Sequence, residues 1–239
     1  MNETSEYRKA FEEIEGRFPT EKRLRIPLSE VDVIDLRLGD VIYFDGMIFT
    51  GREKVLHRLI DEGVVPIDIK NTCNVMMTSA PSVKEVSPGT YEVRAAMPTT
   101  NYRFIRWLPA LFNKHGIRAL ISKGGLQKDA YQLFERFKAI NVMMVTPAIT
   151  ASYAKRIRAL RHTFWAEEFR TTDALYVWEV QGLGPFIVEA DTSGRSLFKD
   201  VVNPMINEGV KRAYEGLPKL TQSRVGEFKA YELDGGLYR

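Results

Sequence analysis

The chain has 239 residues, 44% of them hydrophobic and 27% charged, and its 34 basic against 31 acidic side chains leave a formal net charge of +3. This is a globular composition, enough for one large domain or two small ones, with no like-charge block to suggest nucleic acid or a membrane surface. No run reaches membrane-spanning length, no leading segment has signal-peptide order, and the lone Cys73 excludes an internal disulfide, so a cytoplasmic protein is expected.

Residues 3–17 place Tyr7, Phe11 and Ile14 at helical spacing among charges, the pattern of a surface helix, and residues 20–27 read as a basic linker. Ser29 with Asp32 three residues on predicts a capped short helix. Val41 to Phe44 and Met47 to Thr50 read as strand on either side of Asp45-Gly46. Gly51-Arg52-Glu53 opens a helix with the apolar stripe Val55, Leu56, Leu59 and Ile60, closed by Gly63. Arg52 stands at that helix start, where the macrodipole disfavours a cation unless it faces an anion or a carboxylate.

Residues 64–100 read as β-rich, with strands at 64–69, 73–78 and 91–97, a Pro81-Ser-Val loop and a Pro88-Gly89 turn. From residue 101 helix and strand alternate. A helix over 101–115 restarts at Pro109, and strands at 117–121 and 141–145 alternate with helices at 127–138 and 148–160. Strands at 175–180 and 186–190, the turn Asp191-Thr-Ser-Gly194 and a helix over 196–214 follow, and the rest reads as a tail. A β-rich first half followed by βαβα predicts a layered α/β domain.

Two strand ends stand out. The strand at 91–97 stops at Pro98, and Thr99 and Thr100 lead into a helical pattern with Arg103 in its first turn; the strand at 117–121 delivers Lys123 into Gly124-Gly125. Hydroxyls, cations and free backbone N–H groups released at two strand ends suit an anionic small molecule. Singly, each is also ordinary: a Thr-Thr helix cap, a Lys-Gly-Gly turn, surface charges at Arg52, Arg103 and Lys123, and a packed histidine at His57.

Four segments in one order carry a resemblance: Leu38-Gly-Asp-Val-Ile-Tyr43; Gly46-Met-Ile-Phe-Thr-Gly-Arg-Glu53 with His57-Arg58; Pro98-Thr-Thr100 with Arg103 and Pro109; and Gly116-Ile-Arg-Ala-Leu-Ile-Ser-Lys-Gly-Gly125. Together they resemble the β subunit, or C-terminal domain, of class I fumarases and L-tartrate dehydratases. The likeness runs through Glu167-Glu168 and Trp178-Glu179 to Asp191-Thr-Ser-Gly194. It divides the chain into an N-terminal helix and linker (1–24), a fumarase β-subunit-like domain (25–200) and a C-terminal helix and tail (201–239).

The resemblance implies a swivelling β/β/α three-layer fold and a hydro-lyase acting on a C4 dicarboxylate, fumarate to malate. It also implies a partner α subunit holding a 4Fe-4S cluster, with none bound by this chain, and a homo- or hetero-oligomer. By the same likeness Arg52 and Arg103 are carboxylate-binding arginines, Thr99 the proton-abstracting hydroxyl and Lys123 the lysine of the Lys-Gly loop. Thr100 and Gly124 accompany them, and His57 supports. Four residues depart from the family pattern: Met97 and Ala80 stand where glycine is preferred, and Thr146-Pro147 where Gly-Gly is usual. They keep open another hydroxy-diacid, such as L-tartrate or a methyl-branched acid like mesaconate. A non-catalytic anion-binding or scaffold domain is the third reading.

Overall fold

The computed structural model describes residues 9, 11–13, 15–126, 128–146 and 149–215. Two compact units are separated at Asn203. The first carries all the strands of the described residues; the second contains most of the helix α8 (Asn203–Tyr214), whose side chains are none of them buried.

The first unit is mixed α/β. Its elements are β1 (Glu21–Arg25), α1 (Glu30–Ile34), β2 (Val41–Thr50), α2 (Glu53–Leu56), α3 (Ile69–Thr72), β3 (Val75–Met77), β4 (Ser82–Ser87), β5 (Thr90–Ala95), α4 (Leu108–Asn113), β6 (Ala119–Ser122), α5 (Tyr131–Phe137), β7 (Ile140–Met144), α6 (Thr150–Ala154), β8 (Ile157–Phe164), α7 (Ala166–Phe169) and β9 (Leu175–Ala190). The seven-stranded sheet runs β1-β2-β3-β6-β7-β9-β8, and β9 also pairs with β2. The pairing β2–β3–β6–β7–β9–β2 therefore closes on itself, with β2, β3, β6 and β7 parallel and β9 antiparallel to its neighbours. β4 and β5 form a separate hairpin.

Closure explains the apolar runs. β3 and β6 are buried at every position, because one face looks into the ring and the other lies under helices. Ile42, Phe44, Ile48, Val75, Met77, Ile121, Val142, Trp178 and Phe186 fill the inside. Phe49, Met76, Leu120 and Val177 alternate to the outside, where they pack with Val55, Leu56, Leu59, Phe104, Trp107, Leu111 and Phe134 from the helices and turns.

Several expected elements are present. The Ser29 N–H and hydroxyl both donate to Asp32, capping α1. Residues 102–107 form a 3₁₀ turn, and α4 begins beside Pro109, where a missing N–H costs nothing. Others are corrected. Residues 20–27 contain the edge strand β1, paired in parallel with β2, where a linker was expected. Asp45-Gly46 does not separate two strands: β2 is continuous, with a register irregularity there against β9. Gly46 has φ +117, and a Cβ on it would lie 2.8 Å from the Ile26 carbonyl oxygen. Likewise β9 is one strand through Gly182 and Gly184 where two were expected, held there by the Gly182 N–H donating to Asp45 at 2.7 Å.

Residues 64–68 form no strand, with Val64 and Val65 exposed, and residues 69–72 are helical. β4 occupies part of the expected Pro-Ser-Val loop. The helix expected over 148–160 ends at Ala154, and β8 takes over because β9 offers it an antiparallel edge. In the N-terminal segment Lys9, Phe11 to Glu13 and Glu15 are helical, while Tyr7 and Ile14 lie outside the described residues. The expected tail beyond residue 215 also lies outside them.

Candidate active site at the ends of three parallel strands

β2, β3 and β6 end side by side, and in parallel α/β folds, closed as well as open, ligands bind beyond the carboxyl ends of the strands. A ladder of backbone bonds continues past those ends. The Gly51 N–H donates to the Met77 carbonyl at 3.1 Å and the Thr78 N–H to the Ile121 carbonyl at 3.1 Å. Thr99 inserts between: its N–H donates to the Thr78 carbonyl, and its own carbonyl accepts from the Lys123 N–H at 3.0 Å. Arg52, Thr99 and Lys123, far apart in the chain, are thus neighbours along one edge.

The Thr99 hydroxyl also lies 3.1 Å from the Thr78 carbonyl, and the Thr78 hydroxyl 3.0 Å from the Thr99 carbonyl. Thr99 is half-buried while Thr100 and Lys123 are exposed. A Cβ on Gly124 would meet nothing within 4 Å, whereas one on Gly125 would lie 2.8 Å from the Phe198 ring. Gly124 therefore borders open space and Gly125 is required by packing.

Arg52 is not a free fork. Its Nη1 pairs with Asp173 at 3.0 Å, and its Nε is buried with no hydrogen-bond partner. Arg103 is exposed, its guanidinium 5.3 Å from the Phe104 ring centre. It follows the ladder by four residues without joining it. His57 lies in the turn after α2 with Nδ1 3.0 Å from Glu62 and Nε2 3.9 Å from Asp61, so the contacts of its ring nitrogens are local to its own helix. A cleft of about 510 Å³ opens elsewhere, between β5, α6 and β8, and no predicted site residue lines it.

Behind the Lys123 loop stands a set of residues that motif reading missed. Asn141 on β7 and Glu189 on β9 are fully buried and bond to each other at 2.9 Å, and Asn101 joins Asn141 at 3.2 Å. The signal was a polar residue inside an apolar strand: Asn in Ile-Asn-Val-Met-Met, Glu in Phe-Ile-Val-Glu-Ala.

Of the departures from the family pattern, Met97 is 39% exposed, and its carbonyl is held by the Ala80 N–H and the Ser79 hydroxyl, both at 3.1 Å. Pro147 lies outside the described residues. Cys73 is buried in the helix-side core, and burial pushes its thiol up to about 11, so it acts as a packing residue. Among the described residues no group of three or more His, Cys, Asp or Glu is placed to hold a metal ion. Also among them, no helix is long and apolar enough to cross a membrane.

Fold and site together define a mixed α/β domain that presents cations, hydroxyls and a glycine loop beyond parallel strand ends. Residues 3–201 match the family described as Fumarase C-terminus, and the chain belongs to that family, which class I fumarate hydratases and L(+)-tartrate dehydratase β subunits share. It is 27% identical over 179 residues to the L(+)-tartrate dehydratase subunit beta of Escherichia coli K12, covering 75% of this chain and 87% of that one. A protein of Methanocaldococcus jannaschii with the provisional name L(+)-tartrate dehydratase subunit beta is 25% identical over 197 residues, covering 81% of this chain and 95% of that one. A Geobacillus stearothermophilus protein provisionally named class I fumarate hydratase is 28% identical over 178 residues, covering 74% of this chain but 34% of its own length.

Proposed function

We propose that this chain is the β subunit of a cytoplasmic heteromeric hydro-lyase that hydrates and dehydrates a C4 dicarboxylate, fumarate to malate, at the strand ends described above. The observation that carries this is the ladder Thr78–Thr99–Lys123, which sets a hydroxyl between two cation-bearing segments. A closed sheet with helices on its outer face is compatible with the swivelling β/β/α three-layer fold of such subunits. Residues 1–20 and those after about 200 are read as segments that meet a partner or a second copy in the oligomer.

Arg52, 24% exposed and oriented by Asp173, takes one substrate carboxylate, and Arg103 swings to the other as a planar fork. Lys123 is a point charge on the loop, with Thr100 and the open side of Gly124 bordering the same space. Removing a proton next to a carboxylate builds negative charge on that carboxylate, and clustered cations stabilise the charge as it develops. Thr99 takes the proton as its alkoxide, which neighbouring cations stabilise and whose own hydroxyl proton first passes to a group of the partner subunit; the Thr78 carbonyl orients the hydroxyl once it is reprotonated. His57 supports the Arg52 segment from the helical turn that follows α2, where its ring nitrogens meet Asp61 and Glu62.

The single cysteine of this chain is a core residue, so the 4Fe-4S cluster belongs on the partner α subunit. Bound there, that cluster would supply Lewis-acid chemistry at the second carbon. L-tartrate is the second substrate reading, favoured by the relatives with that name and by the exposed Met97 beside Pro98.

The test is co-expression with a cluster-bearing α subunit and anaerobic assay on fumarate, malate, L-tartrate and mesaconate. Turnover of one diacid by the complex and none by this chain alone is expected. A complex with an intact cluster that turns over none of them would leave an anion-binding or scaffold domain.

A further inference from the structure

The buried residues behind the Lys123 loop form a network that the substrate-binding assignment does not use. Glu189 accepts from Asn141 Nδ2 at 2.9 Å through one carboxyl oxygen; the other lies 2.7 Å from Ser196 Oγ and 3.0 Å from Tyr131 Oη. Asn141 Nδ2 also donates to the Gly124 carbonyl at 3.3 Å, and its Oδ1 accepts from Asn101 Nδ2 at 3.2 Å. The Tyr131 hydroxyl accepts from the Leu126 N–H at 3.1 Å and lies 3.0 Å from the Leu126 carbonyl. A Cβ on Gly125 would lie 3.3 Å from the Glu189 carboxyl. The loop is therefore tied at Gly124 through Asn141 and at Leu126 through Tyr131, and Asn141 passes the tie to Asn101, two residues beyond Thr99.

The one Tyr131 proton is shared between two acceptors, the Leu126 carbonyl and Glu189, and a neutral carboxyl completes the set when that proton goes to Leu126. The ionisable groups facing Glu189 are Tyr131 from α5 and Asp200 from the turn over 197–202, and no ion pair to Glu189 forms among the described residues. Burial pushes the carboxyl above its ordinary range and Asp200 adds to this, against the bonds from Asn141, Ser196 and Tyr131.

We propose that Glu189 is a positioning residue that, through Asn141 and Tyr131, holds the Lys123-Gly124-Gly125 loop against the Thr99–Asn101 segment and so sets the spacing between Lys123 and the Thr99 hydroxyl. The catalytic part of this rests on the reading of those residues as the substrate site; the loop-holding part does not. Glutamine carries oxygen and NH₂ where a neutral carboxylic acid carries oxygen and OH, so Glu189→Gln keeps the network, while Glu189→Ala removes it. Tyr131→Phe keeps the ring and frees only Leu126 and the carboxyl contact.

Hydrogen exchange on the full chain, at matched pH, reads the loop directly. Amides at 122–126 should exchange about tenfold faster in Glu189→Ala and Tyr131→Phe, and within about threefold of wild type in Glu189→Gln, with β2 and β9 away from the site unchanged. In the complex with the α subunit, Glu189→Ala should lower kcat about tenfold on the preferred diacid and Glu189→Gln should restore it. Wild-type loop exchange in Glu189→Ala, or equal loss in Gln and Ala, would overturn the proposal. Should Glu189→Ala fail to fold, Tyr131→Phe decides, and unchanged exchange there overturns it. A wild-type complex without turnover would reject the substrate-site reading, and the exchange result would then decide the loop-holding role alone.

Discussion

The Lys123 N–H donates to the Thr99 carbonyl at 3.0 Å, and this one bond joins the Pro-Thr-Thr segment to the Lys-Gly-Gly loop. Because the Thr99 N–H and hydroxyl both turn to the Thr78 carbonyl, the Thr99 side chain is held by β3 and Lys123 by β6. The two strands pair in parallel, so sheet register brings a hydroxyl and a cation to one edge.

Thr99→Val keeps shape and removes the hydroxyl. It should lower kcat about a hundredfold or more in the reconstituted complex, with little change in KM. Arg103→Lys keeps charge and removes the planar fork, so KM should rise roughly ten- to a hundredfold. Steady-state kinetics on the preferred diacid, with melts to check folding, separate the two. Near-wild-type values for both would reject the site.

Asp40 is fully buried, which pushes its carboxyl up, yet the Thr20 N–H, Arg17, the Arg37 N–H and the Thr20 hydroxyl together hold it below the ordinary value. A depressed folded pKa stabilises the fold above the unfolded value near 3.8, and that contribution is lost as pH falls through the folded one. Asp40→Asn should cost about 2–3 kcal/mol at pH 7, and much less near pH 2, by urea unfolding. A cost independent of pH would contradict this.

Glu189 has the opposite sign. Its folded pKa is raised, so its neutral form is fully compatible with the fold below the unfolded value near 4.5. Stability is then lost as pH rises towards the folded value. Glu189→Gln should therefore be more stable than wild type at pH 8 and no more stable at pH 4. Equal melting temperatures for the two at pH 8 would count against a raised carboxyl.

Gly46→Ala places a Cβ 2.8 Å from the Ile26 carbonyl oxygen at φ +117. Such strain costs about 1–3 kcal/mol, or roughly 2–10 °C in Tm for a chain of this size. An unchanged thermal melt would show that the irregularity in β2 relaxes without it.

Local chemistry made several elements legible. Ser29 and Asp32 cap α1 as two side chains three residues apart must, Pro109 restarts a helix because it lacks an N–H, and the buried runs at β6 and β7 have no polar face to expose. Arg52 was recognisable as a cation in the wrong place for a helix start, and the structure gives it Asp173.

What pairing decides was not legible. β8 reads locally as the end of a helix, and only β9 makes it a strand; Gly182 and Gly184 read as a turn, and only β2 and Asp45 carry β9 through them. Strand propensity is weak beside cross-strand contacts: β8 depends on the strand that follows it, and β9 on β2, more than a hundred positions away. The same holds for the site. Arg52, Thr99 and Lys123 are visible as types at strand ends, but their adjacency, and the Asn141–Glu189 support behind them, exist only because the ring of strands closes and removes those polar groups from water.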